Sequence, residues 1–183
     1  MHNASGTIYS FFTILFMKTI PWENKSPKHP NGVCKAATSN WLADICYKGI
    51  SEANKLTAWE CDSLQSKCEK GQYTWSLQLT ALMGGEDKAS FDAWHGPDIT
   101  DSASIEAVLK GMKENDFYII SASGPRGDEH TVAGFFENRC YYFFDPKYAM
   151  YTADLTELKQ LVDVIIKNLA PWTNRALRSG YII

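Results

Sequence analysis

The apolar positions of this chain follow two periods, and the change between them divides the molecule. From Val33 to Met112 they recur every three or four residues, and from Asp116 to Phe144 they alternate or run continuously. The first spacing lines one face of a helix and the second belongs to strands. Val33, Ala36, Ala37, Trp41, Leu42 and Ile45 predict a core helix that opens at Cys34 and stops at Gly49. A second helical region is expected from Ser51 to Cys68, with Ala53, Leu56, Trp59, Cys61 and Leu64 facing inward. A third runs from about Tyr73 to Met83, where Gly84-Gly85 ends it. Phe91 to Thr100, with Trp94-His95-Gly96-Pro97, reads as a surface loop. Asp101 or Ser102 then caps a short helix carrying Ile105, Val108, Leu109 and Met112 on one side.

The strand-forming half begins with Phe117-Tyr118-Ile119-Ile120-Ser121-Ala122 and turns at Gly124-Pro125-Arg126-Gly127-Asp128. It continues as His130 to Phe136, reverses at Glu137-Asn138-Arg139 and returns as Cys140 to Phe144. Asp145-Pro146 ends that strand, because proline cannot donate to a ladder. An amphipathic helix capped near Asp154 is expected next, with Leu155, Leu158, Leu161, Val162, Ile165 and Leu169 inward, and Gly180 to Ile183 closes the sheet. Helices first and an antiparallel sheet afterwards is an α+β pattern, a helical half packed on a sheet.

Two stretches lie outside these periods. Thr7 to Ile20 is strongly apolar, yet it lacks a basic leading region and a small-x-small cleavage site and is too short to span a bilayer. It is expected to dock on the core as an N-terminal arm. Pro21 to Pro30, with three prolines among polar residues, reads as a loop leading into the cysteine helix.

At 183 residues, 45% of them hydrophobic and 13% aromatic, the chain fits a single domain over 1–183, with 1–30 as arm and loop. The net charge of -3 and the scatter of the basic residues point away from nucleic acid as a partner. Five cysteines, Cys34, Cys46, Cys61, Cys68 and Cys140, form no CxxC pair and no zinc-type spacing, so neither a metal nor a cofactor is expected. An odd count suits a reducing compartment, with a Cys61–Cys68 disulfide left open as an alternative.

The candidate chemistry sits at the start of the first helix. Unpaired N–H groups and the positive end of the helix dipole favour a thiolate there, which makes Cys34 the candidate nucleophile. A base and its partner come from the hairpin. Centring its turn on Asn138 sets His130 opposite Pro146 and beside Asp145, so that a carboxylate meets the imidazole at one edge of the sheet. Asp145 is expected to accept the Nδ1–H of His130 and leave Nε2 for the thiol. His2, His29 and His95 have no carboxylate placed for them in this way; His29 at most lines the cleft.

Asn31-Gly32-Val33-Cys34 with Ala37 and Trp41-Leu42, then His130-Thr131-Val132-Ala133-Gly134, then Tyr142-Phe143-Phe144-Asp145-Pro146 resemble three blocks of the YopT-like cysteine peptidases, a family of bacterial virulence effectors. The blocks come in the family's order. The resemblance implies a papain-like fold, a catalytic triad of Cys34, His130 and Asp145, and cleavage of a protein inside a target cell. It also implies synthesis in the bacterial cytoplasm, delivery by a specialised secretion system without a cleaved signal peptide, and a cognate immunity protein or chaperone as a partner. Two departures stand out. Cys34 and His130 are 96 residues apart, against roughly 130 to 150 in papain and the cathepsins, and the long N-terminal extension of many such effectors is not seen. Papain-like enzymes use an upstream glutamine amide to stabilise the oxyanion, and no glutamine precedes Cys34. Asn31 and Asn24 are the available amides, with Asn31 favoured. Two other readings remain: a papain-like amidase cutting peptidoglycan peptides as an antibacterial toxin, and an inactive binding module of the same fold.

Overall fold

The computed structural model describes residues 17–29, 32–72, 79, 82, 89–91 and 101–183. Among these residues seven strands form one antiparallel sheet: β1 (Lys18–Pro21), β2 (Ala89–Phe91), β3 (Asp116–Ser123), β4 (Glu129–Glu137), β5 (Cys140–Asp145), β6 (Ala149–Asp154) and β7 (Asn174–Ile182). Their spatial order is β1-β6-β5-β4-β3-β7-β2. The three central strands read as nearly continuous apolar runs because helices cover both faces. Along β3, Phe117 and Ile119 point to the same core as α1 (Cys34–Lys48), while Tyr118 and Ile120 join the core under α4 (Ser102–Gly111) and α5 (Leu158–Leu169).

α1 is the helix on which the first core is built. Val33, Ala36, Ala37, Trp41 and Leu42 have no exposed surface, as the spacing predicts. Trp41 packs against Phe144 of β5 with ring centroids 5.5 Å apart, and its indole N–H donates to Asn54 Oδ1 at 3.2 Å. Trp22, from the loop before the helix, meets the same Phe144 edge-on at 5.2 Å and donates to Leu56 O at 2.8 Å. The loop, the nucleophile helix and the hairpin thus share one aromatic contact.

The hairpin forms where the sequence places it. Asn138 and Arg139 hold φ of 53° and 62°, the left-handed pair of a two-residue turn with right-handed twist, and Glu137 faces Cys140. The register is one residue removed from the expected one, since Ala133 faces Phe144, a pairing that extrapolates to put His130 opposite Lys147.

Several elements differ from the reading of the sequence. The expected helix from Ser51 to Cys68 is broken into α2 (Ile50–Ala53), a 3₁₀ turn (Ala58–Cys61) and α3 (Asp62–Glu69). Thr57 and Glu60 form a capping box that starts a new element there. That restart turns Trp59 outward, 63% exposed, instead of inward. β6 is an additional strand, and α5 begins at Leu158, because Asp154 Oδ1 accepts the backbone N–H groups of Thr156 and Glu157 in a turn. Leu155, in that turn, is exposed rather than buried. Cys61 and Cys68 are free thiols, so the alternative disulfide is not formed. Of the apolar arm, Lys18–Pro21 pairs with β6, and the rest lies outside the described residues. So do most of the expected helix at 73–83, of which Leu79 and Leu82 are helical, and the loop around His95.

Candidate active site

Cys34 is the first residue of α1, partly buried, and faces the open end of the sheet. Pairing between β4 and β5 stops at Ala133–Phe144, so toward its start β4 is paired only with β3 and its β5 side is open. α1 docks along that extension, and the Thr38 hydroxyl donates to Thr131 O at 3.0 Å. This contact fixes one end of the helix against the strand that carries His130. The result is a distance of 3.3 Å between Cys34 Sγ and His130 Nδ1. On the other side of the ring, His130 Nε2 donates to Asp145 Oδ1 at 2.8 Å. Asp145 is fully buried, and the same oxygen accepts the Lys147 backbone N–H at 3.0 Å.

The three residues therefore converge, but the ring nitrogens are exchanged relative to expectation. Nδ1 lies close to the backbone and has the short reach to the neighbouring helix. Nε2 projects farther and crosses toward the end of β5. Because a carboxylate only accepts, Nε2 carries a hydrogen and Nδ1 is left for the thiol. Burial opposes a charge on His130, yet its hydrogen bonds to Asp145 and Cys34, and the charges of those two groups, outweigh burial and raise its pKa from 6.5 to about 9. A raised imidazole pKa favours the imidazolium beside the sulfur at neutral pH.

The amide at the sulfur is Asn24. Its Oδ1 accepts the Val33 backbone N–H at 3.1 Å, which turns Nδ2 toward Cys34 Sγ at 3.3 Å. Gly32 makes room for it: a Cβ there would stand 2.6 Å from Nδ2, and its φ of +107° is one that side chains avoid. Asn31, the favoured amide of the sequence reading, lies outside the described residues.

Two residues at the site carry no signal in a search for triads. His29, 6% exposed, anchors the loop between Asn24 and Cys34 to α3. Its ring meets Glu69 Oε1 at 3.0 Å, Asp62 O at 3.1 Å and Ser66 Oγ at 3.2 Å, and its carbonyl accepts the Gly32 N–H at 3.0 Å. Trp172, from the turn before β7, stacks on His130 with centroids 4.3 Å apart and planes 20° off parallel. Lys147 Nζ sits 4.7 Å from the centre of the indole. An aromatic next to proline in a turn was the available sign, since apolar residues in turns need a partner to cover.

Among the described residues no cluster of His, Cys, Asp and Glu is arranged to hold a metal ion, and no helix is long and apolar enough to cross a membrane.

A helical half whose first helix opens with a cysteine, set against an antiparallel sheet that brings a histidine and an aspartate to it, is the papain-like cysteine protease fold. Among solved structures, the chain is similar to the crystal structure of the Pseudomonas avirulence protein AvrPphB. The match has a TM-score of 0.58 at 12% identity and covers 91% of this chain and 97% of that one. This is a likeness of fold, and it agrees with the resemblance of the three sequence blocks. PatoxP, a cysteine protease-like domain of the Photorhabdus asymbiotica toxin PaTox, also matches, with a TM-score of 0.47 at 11% identity over 90% of this chain and 53% of that one. No protein-family model and no curated protein matches the chain in sequence.

Proposed function

We propose that this protein is a cysteine peptidase that acts as a bacterial effector, cleaving a protein in a target cell. The observation that carries this reading is the line Asp145–His130–Cys34, held at 2.8 Å and 3.3 Å at the start of a helix. In the proposed reaction the Cys34 thiolate attacks the substrate carbonyl, forming the C–S bond. The backbone N–H of Cys34 and the Asn24 amide receive the developing oxyanion. His130 Nδ1 gives its proton to the leaving nitrogen as the C–N bond breaks, then takes a proton from the water that hydrolyses the thioester. Asp145 accepts from Nε2 throughout, keeping the ring oriented and its cation stabilised, without taking the proton. Likeness of fold to an avirulence protein supports the effector role and delivery from the bacterial cytoplasm into another cell.

The test is a peptide library made from a proteome with its amines blocked, in which each cleavage exposes a new N-terminus. The wild type is expected to generate new N-termini, and the Cys34→Ala and His130→Ala variants, folded, to generate none. Cleavage by both variants would refute the assignment. Expression in a bacterial periplasm separates the amidase reading, which alone requires lysis of the cell.

A further inference from the structure

The sheet face under α1 changes character as it leaves the helix. On β3, Phe117 and Ile119 are followed on the same face by Ser121 and Ser123. On β4, Phe135 and Ala133 are followed by Thr131 and Glu129. By strand alternation these are core-side positions, yet the residues are polar. Polar residues at core-side positions break the local rule, and such breaks concentrate at functional sites. Here the break leaves a cavity of about 430 Å³, lined by Ser121, Ser123, Glu129, Thr131, Asn174 and, from the first turn of α1, Lys35. It also touches His130.

The chemistry fixes which half of a substrate lies there. Cys34 Sγ has the Asn24 amide on one side and His130 Nδ1 on the other, each at 3.3 Å. The carbonyl oxygen of a bound substrate turns to the amide, and the leaving nitrogen turns to the imidazole that protonates it. The chain beyond that nitrogen then runs on past His130, which lines the cavity, whereas the lining includes neither Cys34 nor Asn24. We propose that the cavity is the subsite for the residue on the leaving-group side of the scissile bond, and that it takes a polar side chain, which the hydroxyls of Ser121, Ser123 and Thr131 and the Asn174 amide can pair with. An apolar side chain would strip water from those groups and return nothing, which is how a polar pocket rejects it. This inference rests on the peptidase reading and adds a specificity to it.

Acyl transfer reads this subsite without knowledge of the protein substrate. N-benzyloxycarbonyl-glycine p-nitrophenyl ester acylates Cys34 with a burst of p-nitrophenolate. An added amine then competes with water: its nitrogen attacks the thioester carbon, its proton passes to His130 Nδ1, the C–S bond breaks and an amide forms. Serinamide and glutaminamide are expected to capture the acyl group about tenfold more often than leucinamide at equal concentration. Ser121→Leu and, independently, Ser123→Leu are expected to erase that preference while leaving the iodoacetamide alkylation of Cys34 unchanged. Equal capture of all three amines by the wild type, a preference for leucinamide, or a preference that survives both substitutions overturns the proposal. Absence of any burst from the wild type overturns the peptidase reading, and the subsite with it.

Discussion

Replacing Asp145 by Asn should disarm the site without unfolding it, and the size of the effect follows from the pKa of His130. That pKa rises from 6.5 to about 9 against the opposing effect of burial. The rise corresponds to about 3 kcal/mol in favour of the imidazolium. Asp145 contributes both its hydrogen bond and its charge to this, and Cys34 supplies the rest. Losing the Asp145 partner lowers the His130 pKa and shifts the equilibrium away from the imidazolium. Amide orientation adds a second loss, since Asn can present its NH₂ to Nε2 and select the wrong tautomer; in serine proteases that exchange costs about 10,000-fold. Turnover is therefore expected to fall by between about 100- and 10,000-fold. The assay is the burst of p-nitrophenolate followed from pH 5 to 10. The wild-type profile should fall on the alkaline side through about pH 9, where His130 loses its proton, and the alkaline limb of Asp145→Asn should move to lower pH. Stability gives the matching sign. A pKa raised on folding contributes stability that is complete below about pH 6.5 and is lost as the pH climbs through 9. The variant should lose less on that climb. An alkaline limb that stays in place with turnover intact would refute the role given to Asp145.

Asn24→Ala removes one oxyanion donor, so acylation should drop about 100- to 1,000-fold while iodoacetamide still alkylates Cys34. Equal loss of both reactions would show Asn24 to be structural only. His29→Ala cuts the tie between the loop and α3 and should lower the acylation rate more than it changes KM, again with alkylation retained; rates like the wild type's would refute the anchoring role. Trp172→Ala relieves the burial that opposes a charge on His130 and should move the alkaline limb upward, which the same burst profile reads. Trp41→Ala deletes a fully buried indole and should cost about 3 to 5 kcal/mol in chemical denaturation, a large part of the 5 to 15 kcal/mol of an ordinary domain.

The parts of this molecule legible in its sequence are those governed by local rules. The period of Val33 to Ile45 gave the helix and its buried face, and Asn138-Arg139 between two apolar runs gave the hairpin, hence the meeting of His130 with Asp145. What depended on side-chain reach was not legible. The choice between Nδ1 and Nε2 rests on how near α1 docks to β4, a tertiary distance. Asn24 reaches the sulfur only because Gly32 and the His29 anchor fold the loop back over ten positions. β6 went unread because Ala149-Met150-Tyr151-Thr152 is a short run directly after a turn, and the chain's return beside β5 gives no local signal. Trp59 looked like a core residue by spacing alone, until the Thr57–Glu60 capping box reset the helix phase.

The measurement that bears most directly on the pairing of Cys34 with His130 is the rate of Cys34 alkylation by iodoacetamide between pH 6 and 8, followed by peptide mass spectrometry across all five cysteines. A thiolate held beside an imidazolium reacts at a rate that changes little over this range, and Cys34 should be the cysteine labelled first. In His130→Ala the rate should climb about tenfold per pH unit, as for an ordinary thiol with a pKa near 8.5. The same steep climb in the wild type, or faster labelling of another cysteine at pH 6, would contradict the thiolate–imidazolium pair on which the proposed peptidase mechanism stands.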